Sequence, residues 1–374
     1  MENRSTICLN MIVKNEAPII ERCLASAKPL IDHWVIVDTG SEDGTQDIIR
    51  SFMSDIPGTL HERQWKNFGH NRTEALNLAK HQADYTLTID ADEYLSNEEG
   101  FSWGEMGADA YLIEKNRRNR VYRVMHILKS SVDWRWEGAL HETPMCENMN
   151  SRTFRKIDGV AIESPLEGGA RAADPLTYKK DALLLEQALL EEPDNSRYMF
   201  YLGNSYRDAN EPDLAIRAYK KRIEMGGWKE EVYMSMIGIA RLYAREKEGT
   251  AKCIKAFLAA HAHTPHRAEA LFELGIVFAF DKDWPNAWLF LERAAGMKRN
   301  PNDLLFIEED MYSWRAKLEA AVAGYWIGKH DAAIAFNREL LDGDKLPERL
   351  RERVERNLNL SLAALGKSSE QKRA

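Results

Sequence analysis

Short apolar, β-branched runs alternate with amphipathic stretches over the first 90 residues of the chain. The apolar runs at 7–13, 34–37 and 85–89 predict buried strands, and the stretches at 17–27 and 45–52 predict helices. Strands that alternate with helices are typical of a parallel sheet with crossover helices. The pattern therefore predicts an N-terminal α/β domain with a mostly parallel sheet.

The pattern changes beyond Pro175, where the strand signal ends and a helical repeat begins. Gly203, Gly238 and Gly275 lie 35 and 37 residues apart, close to the roughly 34-residue period of a tetratricopeptide (TPR) repeat. Small residues at such positions let paired helices approach closely, and each pair covers its neighbour. A glycine- and proline-rich stretch precedes the repeat and is typical of a linker. The predicted segments are an α/β domain, a linker and an all-α, TPR-like helical solenoid, at residues 1–165, 166–175 and 176–374.

Two aspartates stand directly after the third apolar strand. Asp90 and Asp92 are two residues apart, and side chains at i and i+2 of an extended chain project to the same side. Two like charges held together are costly unless a cation lies between them. A hard divalent cation, completed by the phosphate oxygens of a substrate, fits such a pair. Because the chain has 59 acidic residues, the triplet alone is a weak signal, and a solvated turn is the alternative.

Polar residues also follow the other predicted strands and the next predicted helix start. Glu16 follows the first strand and Asp38 ends the second, and ligands of parallel sheets bind beyond the carboxyl ends of the strands. Asp38 is a candidate acceptor for a base N–H of a nucleotide, whereas Ser41 is either part of the same site or a cap of the next helix. Asn71 and Arg72 begin a predicted helix, where an anion is favoured. A structural salt bridge is the alternative for Arg72.

Composition and charge narrow the classes of function. The net charge of −8 argues against a general nucleic-acid binder, which would show a basic face. No apolar run approaches the ~20 residues of a membrane span, and the polar N-terminus lacks a signal-peptide core. The four cysteines show no paired spacing, which excludes a CxxC zinc or redox motif and is typical of reduced thiols. We therefore expect a cytoplasmic protein with no nucleic-acid partner and no transmembrane segment.

Four stretches, taken together, resemble the family-2 glycosyltransferases of GT-A fold. They are Leu9 to Glu16, Val35 to Thr45, Asn67 to Arg72 and Asp90 to Glu93, and their order and spacing match as well as their residues. The resemblance implies a GT-A (Rossmann-like) domain and a nucleotide-sugar donor. It implies that Asp90 binds the ribose or a divalent metal, Mn²⁺ or Mg²⁺, and that Asp92 binds the metal. The predicted donor-binding residues are Asn15, Glu16, Asp38, Ser41, Asn71, Arg72 and Asp90.

The stretch from Trp134 to Glu142 is the candidate acceptor side of the site. Two tryptophans and a glycine beside an acid suit sugar binding, since an aromatic ring stacks on a pyranose, but they also suit a core strand. The resemblance implies that Glu142 is the general base, with Asp133 and Glu137 as further candidates. It also implies that His141 is a metal ligand. Relatives often place a further histidine later in the chain, and residues 161–164 contain none, so the third metal ligand stays open.

Two further stretches have both a plain and a functional interpretation. The basic run at 115–120 is either a solvated hairpin tip or a substrate clamp. Gly168 and Gly169 could act as the hinge of a lid over the nucleotide, and Arg171 on that lid would then reach the diphosphate of the donor. The alternative is that this stretch is only a linker. The combined architecture is similar to bacterial glycosyltransferases with C-terminal TPR repeats, among them peptide glycosyltransferases. The repeats are therefore expected to hold a peptide, protein or glycan acceptor.

The resulting hypothesis is an inverting, metal-dependent transfer of a sugar from a nucleotide sugar to an acceptor, with a UDP-sugar as the expected donor. The alternative from another class is a TPR scaffold whose α/β half only binds a nucleotide or has lost activity. The sequence leaves open the donor sugar, the acceptor and whether the chain forms a homo-oligomer.

Overall fold

A computed structural model describes residues 4–117, 120–165, 174–246 and 249–371. Contacts divide the chain into two compact units, residues 1–210 and 211–374. The first unit contains the α/β sheet together with two helices of the C-terminal half of the chain. Most of the predicted linker lies outside the described residues, so the predicted domain limits stay predictions.

One mixed sheet forms the centre of the first unit. Its strand order is β3-β2-β1-β4-β7-β6-β10-β5, and the strands from β3 to β4 in this order run parallel. Strand β7 is antiparallel to both β4 and β6, whereas β6 and β10 are parallel. The strands are β1 (Ile7–Val13), β2 (His33–Asp38), β3 (Gly58–Glu62), β4 (Tyr85–Thr88), β5 (Tyr94–Asn97), β6 (Ala110–Arg117), β7 (Arg120–Lys129) and β10 (Phe154–Glu163).

A two-stranded ribbon and five α-helices complete the described part of this unit. The ribbon pairs β8 (Trp134–Glu137) with β9 (Thr143–Cys146). The helices are α1 (Ile20–Ala27), α2 (Thr45–Phe52), α3 (Phe68–Ala79), α4 (Thr177–Glu191) and α5 (Ser196–Asp208). The main core is formed by the apolar strand residues, among them Leu9, Ile36 and Leu87, which are fully buried against α1 and α2 residues such as Leu24 and Ile49. The prediction of an α/β domain followed by helices is confirmed.

The register of the parallel strands brings their carboxyl ends to one edge. Val13 at the end of β1 lies beside Asp38 at the end of β2, which in turn lies beside Glu62 at the end of β3. Strand β4 pairs with β1 as far as Thr88, so Asp90 and Asp92 follow at the same edge. This edge is where ligands bind in open parallel sheets.

The second unit is built from helices that pack on their neighbours in sequence. They are α6 (Pro212–Met225), α7 (Lys229–Arg245), α8 (Thr250–His263), α9 (Glu269–Phe280), α10 (Trp284–Ala295), α11 (Ala316–Trp326), α12 (His330–Asp342) and α13 (Glu348–Gln371). Phe272, Trp288 and Leu291 form the centre of its apolar core. No helix of the described residues is both long and apolar enough to cross a membrane.

Two of the repeated glycines sit where neighbouring helices touch. A Cβ added at Gly238 in α7 would lie 2.8 Å from the Tyr219 ring of α6. A Cβ added at Gly275 in α9 would lie 2.5 Å from Leu291 Cγ of α10. These glycines therefore allow the close helix approach that the repeat spacing predicts.

We expect Gly275→Ala to lower the free energy of unfolding by about 1–2 kcal/mol. Overpacking against Leu291 costs about 1–3 kcal/mol, and the better helix propensity of alanine recovers up to about 1 kcal/mol. Urea unfolding followed by circular dichroism measures the change. The matched control is Gly366→Ala in α13, where nothing lies within 4 Å of the added Cβ and stability should stay equal or rise. Equal stability of the Gly275 variant and the wild type would contradict close packing at this position.

Candidate active site

Asp38 is a buried acceptor at the end of β2. Its Oδ1 accepts hydrogen bonds from the backbone N–H groups of Gly40 and Ser41 and from Gln46 Nε2, each at 2.9 Å. Burial alone would raise the pKa of Asp38, but these hydrogen bonds outweigh burial and lower the pKa. Its Oδ2 is buried and has no hydrogen-bond partner among the described residues. A buried carboxylate oxygen that the protein leaves unused is suited to an N–H group of a ligand.

The loop after β1 is tied to the loop after β2. Asn15 has a left-handed backbone (φ 56°), and its N–H donates to Ser41 Oγ at 2.8 Å while its Oδ1 accepts from the N–H of Glu42 at 2.8 Å. The N–H of Glu16 donates to Thr45 Oγ1 at 2.9 Å. Helix α2 has no side-chain cap, so Ser41 holds the Asn15 loop rather than capping that helix. These contacts fix Asn15, Glu16 and Ser41 beside Asp38.

Three carboxylates gather after β4. Asp90, Asp92 and Glu93 each offer an oxygen, and these atoms lie within 4.8 Å of one another. Glu93 is nearly fully buried and pairs with Lys115 Nζ at 2.5 Å. The pKa of Glu93 is raised by burial, an effect that the charge of Lys115 opposes. The Lys115 contact shows that the basic run at 115–120 begins inside the site, not at a solvated tip.

Asp92 is the member of this cluster whose charge is compensated least. It makes no ion pair within 4.0 Å in the part of the chain that the structure describes, whereas Asp90 pairs with Arg72. Burial and the nearby charge of Asp90 raise the pKa of Asp92. Asp90 and Asp92 thus offer hard oxygen donors around an unneutralised negative charge, which fits Mg²⁺ or Mn²⁺.

Arg72 connects the acidic cluster to the candidate acceptor side. It lies in the second turn of α3, and 8% of its side chain is exposed. Its Nη2 donates to Asp90 Oδ1 and its Nε donates to Glu142 Oε1, while its guanidinium lies 5.5 Å from the ring centre of Trp136. Burial opposes the charge of Arg72, but Asp90 and Glu142 outweigh burial and raise its pKa. The structural salt bridge considered for Arg72 is therefore present, and its partners are two residues of the candidate site.

The side-chain amide of Asn71 binds the backbone of the loop that precedes α3. Its Oδ1 accepts from the N–H of Lys66 at 2.9 Å, and its Nδ2 donates to the carbonyl of Gln64 at 3.0 Å. Both ends of the buried amide are therefore used to hold the stretch that precedes α3. The structure places Asn71 next to Arg72 as a support of this stretch.

Glu142 is the general-base candidate that the structure brings to the acidic cluster. Its side chain is 9% exposed and shares Arg72 with Asp90. Glu137 is half exposed and pairs with Arg135 at 2.5 Å, on the side of β8 opposite to the buried Trp136. Asp133 is 85% exposed and pairs with Lys80, about 12 Å along α3 from Arg72. The structure therefore does not bring Asp133 to the cluster.

His141 lies on another side of the loop that carries Glu142. Its backbone is left-handed (φ 55°), and its ring stacks on the ring of Tyr201 of α5 with centroids 3.9 Å apart. Among the described residues, the group of possible metal ligands contains the three carboxylates after β4 and not His141. The structure therefore does not bring this predicted ligand to the cluster. Arg171, the predicted diphosphate contact, lies outside the described residues.

Sequence reasoning missed His126, which packs beneath the acidic cluster. Its Nδ1 lies 3.0 Å from the carbonyl of Thr88, and its ring contacts Trp136 with centroids 5.6 Å apart. Burial, helped by the charges of Lys115 and Arg72, lowers the pKa of His126 to about 3. The ring is therefore neutral at neutral pH, donates through Nδ1 to the Thr88 carbonyl and keeps Nε2 as an acceptor. The local sequence gives no signal for this role, because it arises from the pairing of β7 with β4.

The carboxyl edge of the sheet thus carries a buried, unused carboxylate oxygen and a cluster of three carboxylates, the arrangement of an α/β domain with a ligand site at this edge. Residues 8–99 match the family model described as glycosyl transferase family 2, and residues 180–225 and 235–303 match the tetratricopeptide repeat. The chain therefore contains a family-2 glycosyl transferase domain followed by tetratricopeptide repeats.

Curated relatives match parts of the chain. The SPbeta prophage-derived glycosyltransferase SunS of Bacillus subtilis is 26% identical over 238 residues, which cover 58% of this chain and 53% of the relative. A TPR repeat-containing protein of Synechococcus elongatus is 30% identical over 147 residues, 36% of this chain and 34% of the relative. An uncharacterized glycosyltransferase of Rickettsia bellii is 35% identical over 88 residues, 24% of this chain and 28% of the relative. The chain thus spans about half the length of the first of these relatives.

Solved structures that are similar to parts of this chain include YrrB and MamA. YrrB, a TPR protein with an unusual peptide-binding site, is 17% identical with a TM-score of 0.37, covering 48% of this chain and 82% of YrrB. MamA is 17% identical with a TM-score of 0.33, covering 52% of this chain and 92% of MamA.

Proposed function

We propose that the chain is an inverting, metal-dependent glycosyltransferase that moves a sugar from a UDP-sugar to an acceptor. The observation that carries this proposal is the line of charged groups Glu142, Arg72 and Asp90, with the uncompensated Asp92 beside it. This line supports the proposal because a candidate base for an acceptor lies next to candidate ligands for a metal-bound diphosphate. The family-2 domain at residues 8–99 supports the same reaction class.

The donor half of the proposal rests on the residues at the sheet edge. Asp38 would accept from the base N–H through its unused Oδ2. Asn15 and Glu16 of the loop after β1, together with Ser41 of the loop after β2, would close one side of the nucleoside. Asp90 and Asp92 would hold Mn²⁺ or Mg²⁺. Such an ion, when bound, neutralises the charge that builds on the leaving diphosphate.

The acceptor half rests on Glu142. The acceptor heteroatom forms a bond to the anomeric carbon of the sugar while the bond from that carbon to the β-phosphate oxygen breaks. Glu142 takes the proton of the acceptor, and UDP leaves with the electron pair of the broken bond. Arg72 holds Oε1 of Glu142, and Oε2 has no hydrogen-bond partner among the described residues. Because attack and departure occur on opposite faces of the sugar, the configuration at the anomeric carbon inverts.

The TPR repeats are proposed to hold the acceptor. Stacked helical repeats present extended binding surfaces, and such surfaces suit a peptide, a protein or a long glycan. Peptide, protein and glycan acceptors are therefore the three classes to compare.

A donor panel tests the proposal. The full chain is incubated with UDP-, GDP- and dTDP-hexoses, with Mn²⁺, with Mg²⁺ or with EDTA, and release of the nucleoside diphosphate is measured. We expect release from a UDP-sugar that depends on the metal, and transfer to one acceptor class when peptides, proteins and glycans from a lysate are added and followed by mass spectrometry. Absence of release from every donor, together with absence of metal-dependent UDP binding by calorimetry, would favour the scaffold alternative.

A further inference from the structure

The loop that carries Glu142 is held by a helix from the C-terminal half of the chain. The N–H of Ala139 donates to Tyr198 Oη at 3.2 Å, and Arg197 Nη2 donates to the carbonyl of His141 at 3.1 Å. The ring of His141 stacks on the ring of Tyr201 at 3.9 Å with an interplanar angle of 20°. Tyr198 and Tyr201 are themselves buried. Three contacts from the first two turns of α5 thus join this helix to residues 139–141.

The same loop is fixed on its other side by α3. A Cβ added at Gly69 would lie 2.5 Å from the carbonyl oxygen of Gly138, so the first turn of α3 touches the loop backbone directly. The N–H of Trp136 donates to Thr73 Oγ1 at 2.8 Å. Helix α3 also carries Arg72, the partner of Glu142. The loop is therefore clamped between the helix that binds the carboxylate of Glu142 and the helix α5.

The backbone of the loop needs such support. Gly138 and His141 both have positive φ angles, 124° and 55° respectively. A histidine in the left-handed region is uncommon and persists where its surroundings hold it. This conformation turns the His141 ring towards Tyr201 and the next side chain, Glu142, towards Arg72. The stacking of His141 and the orientation of Glu142 are therefore two results of one backbone geometry.

We propose that Tyr201 and Tyr198 of α5 are positioning residues for the transfer reaction, because they hold the 138–142 loop so that Glu142 faces Arg72 and Asp90. This inference rests on the proposed function of Glu142. Helix α5 lies within the region that matches the tetratricopeptide repeat, yet it belongs to the same compact unit as the sheet. The start of the repeat region is thus part of the unit that carries Glu142.

The test compares four full-length variants with the wild type. Tyr201→Ala removes the stack on His141, Tyr201→Phe keeps it, and Tyr198→Phe removes only the hydroxyl that accepts from Ala139. Tyr206→Ala is the matched control, since Tyr206 lies on the same helix but contacts Glu186 of α4. UDP release from the UDP-sugar that the wild type uses gives kcat and KM, calorimetry gives the affinity for UDP with Mn²⁺, and hydrogen exchange reports the amides of residues 139–142.

We expect Tyr201→Ala to lower kcat by about tenfold to a hundredfold, as a small misplacement of a reacting group does, with donor KM and UDP affinity unchanged within about twofold. Tyr201→Phe should restore kcat, Tyr198→Phe should give an intermediate loss, and Tyr206→Ala should keep kcat. Amide exchange at 139–142 should rise in Tyr201→Ala and not in the control.

Each other outcome has a distinct meaning. Wild-type kcat in Tyr201→Ala, or unchanged amide exchange of its loop, would overturn the positioning role while leaving the proposed function intact. If Tyr206→Ala lost as much kcat as Tyr201→Ala, α5 would act only through the overall stability of the protein. That result would also overturn the positioning role. An inactive wild type with every donor would instead remove the proposed function on which the inference rests. If Tyr201→Ala does not fold, Tyr198→Phe alone decides, and unchanged kcat and amide exchange in that variant count against the inference.

Discussion

Asp92→Asn is expected to lower metal-dependent turnover by roughly a thousandfold or more while the protein stays folded. A metal that stabilises transition-state charge contributes several kcal/mol, and about 1.4 kcal/mol corresponds to tenfold in rate. Asp92 is the proposed ligand because no described side chain forms an ion pair with it, and burial together with the charge of Asp90 raises its pKa. Removing one of three crowded negative charges should leave the stability equal or slightly higher.

The measurement is UDP release at increasing Mn²⁺ concentration, with the thermal unfolding midpoint recorded for the same samples. The matched control is Asp158→Asn, an exposed carboxylate that pairs with Arg123 outside the cluster and should leave turnover unchanged. Metal-dependent turnover that survives in Asp92→Asn would show that the cation is held elsewhere or is not used.

Glu142→Gln should keep donor binding and lose transfer by about a hundredfold to ten-thousandfold, the usual contribution of a general base. Glutamine has nearly the same shape and keeps an amide oxygen that can accept from Arg72, so the loop and the acidic cluster should stay in place. It cannot take a proton from the acceptor. The expected signature is a reduced kcat with an unchanged affinity for UDP.

Single-turnover transfer and calorimetric binding of UDP with Mn²⁺ separate these two effects. Glu147→Gln is the matched control, because Glu147 is exposed just after β9 and lies in the same ribbon region. Normal transfer by Glu142→Gln would move the role of base to another residue, with Glu137 as the next candidate to test.

The helix repeat and its close approaches could be predicted from the sequence alone. The spacing of Gly238 and Gly275 indicated positions where helices meet, and the structure places the ring of Tyr219 and the side chain of Leu291 directly against them. This prediction succeeds because, in a helical repeat, each helix packs against the next helix along the chain. The contact is nearly local in sequence and needs no knowledge of the sheet order.

The acidic site could be predicted only in part. Asp90, Asp92 and Asp38 were singled out because each stands at or just after the end of an apolar strand, and the carboxyl ends of parallel strands meet at one edge. Lys115 was left open between a hairpin tip and a substrate clamp, and His126 was not considered. They lie on β6 and β7, and their approach to Glu93 and Thr88 depends on the antiparallel return of β7 beside β4. Such strand pairing is set by the packing of the whole sheet.

The position of the His141 side chain also could not be predicted from the sequence. It directly precedes Glu142, so the sequence suggested that both side chains serve one site. The left-handed backbone at His141 turns its ring onto Tyr201, while Glu142 reaches Arg72. A backbone angle of this kind is imposed by surrounding contacts, here from α3 and α5, and the neighbouring residue types do not encode it.

The sequence by itself determined the fold class, the helical repeat and the acids that stand at the ends of the strands, since these depend on periodicity and on the residues that end each strand. Only the tertiary structure decided which of these acids lie together. Arg72 joins Asp90, 18 residues away, to Glu142, 70 residues away, and a buried guanidinium holds two carboxylates only where the sheet, α3 and the clamped loop converge.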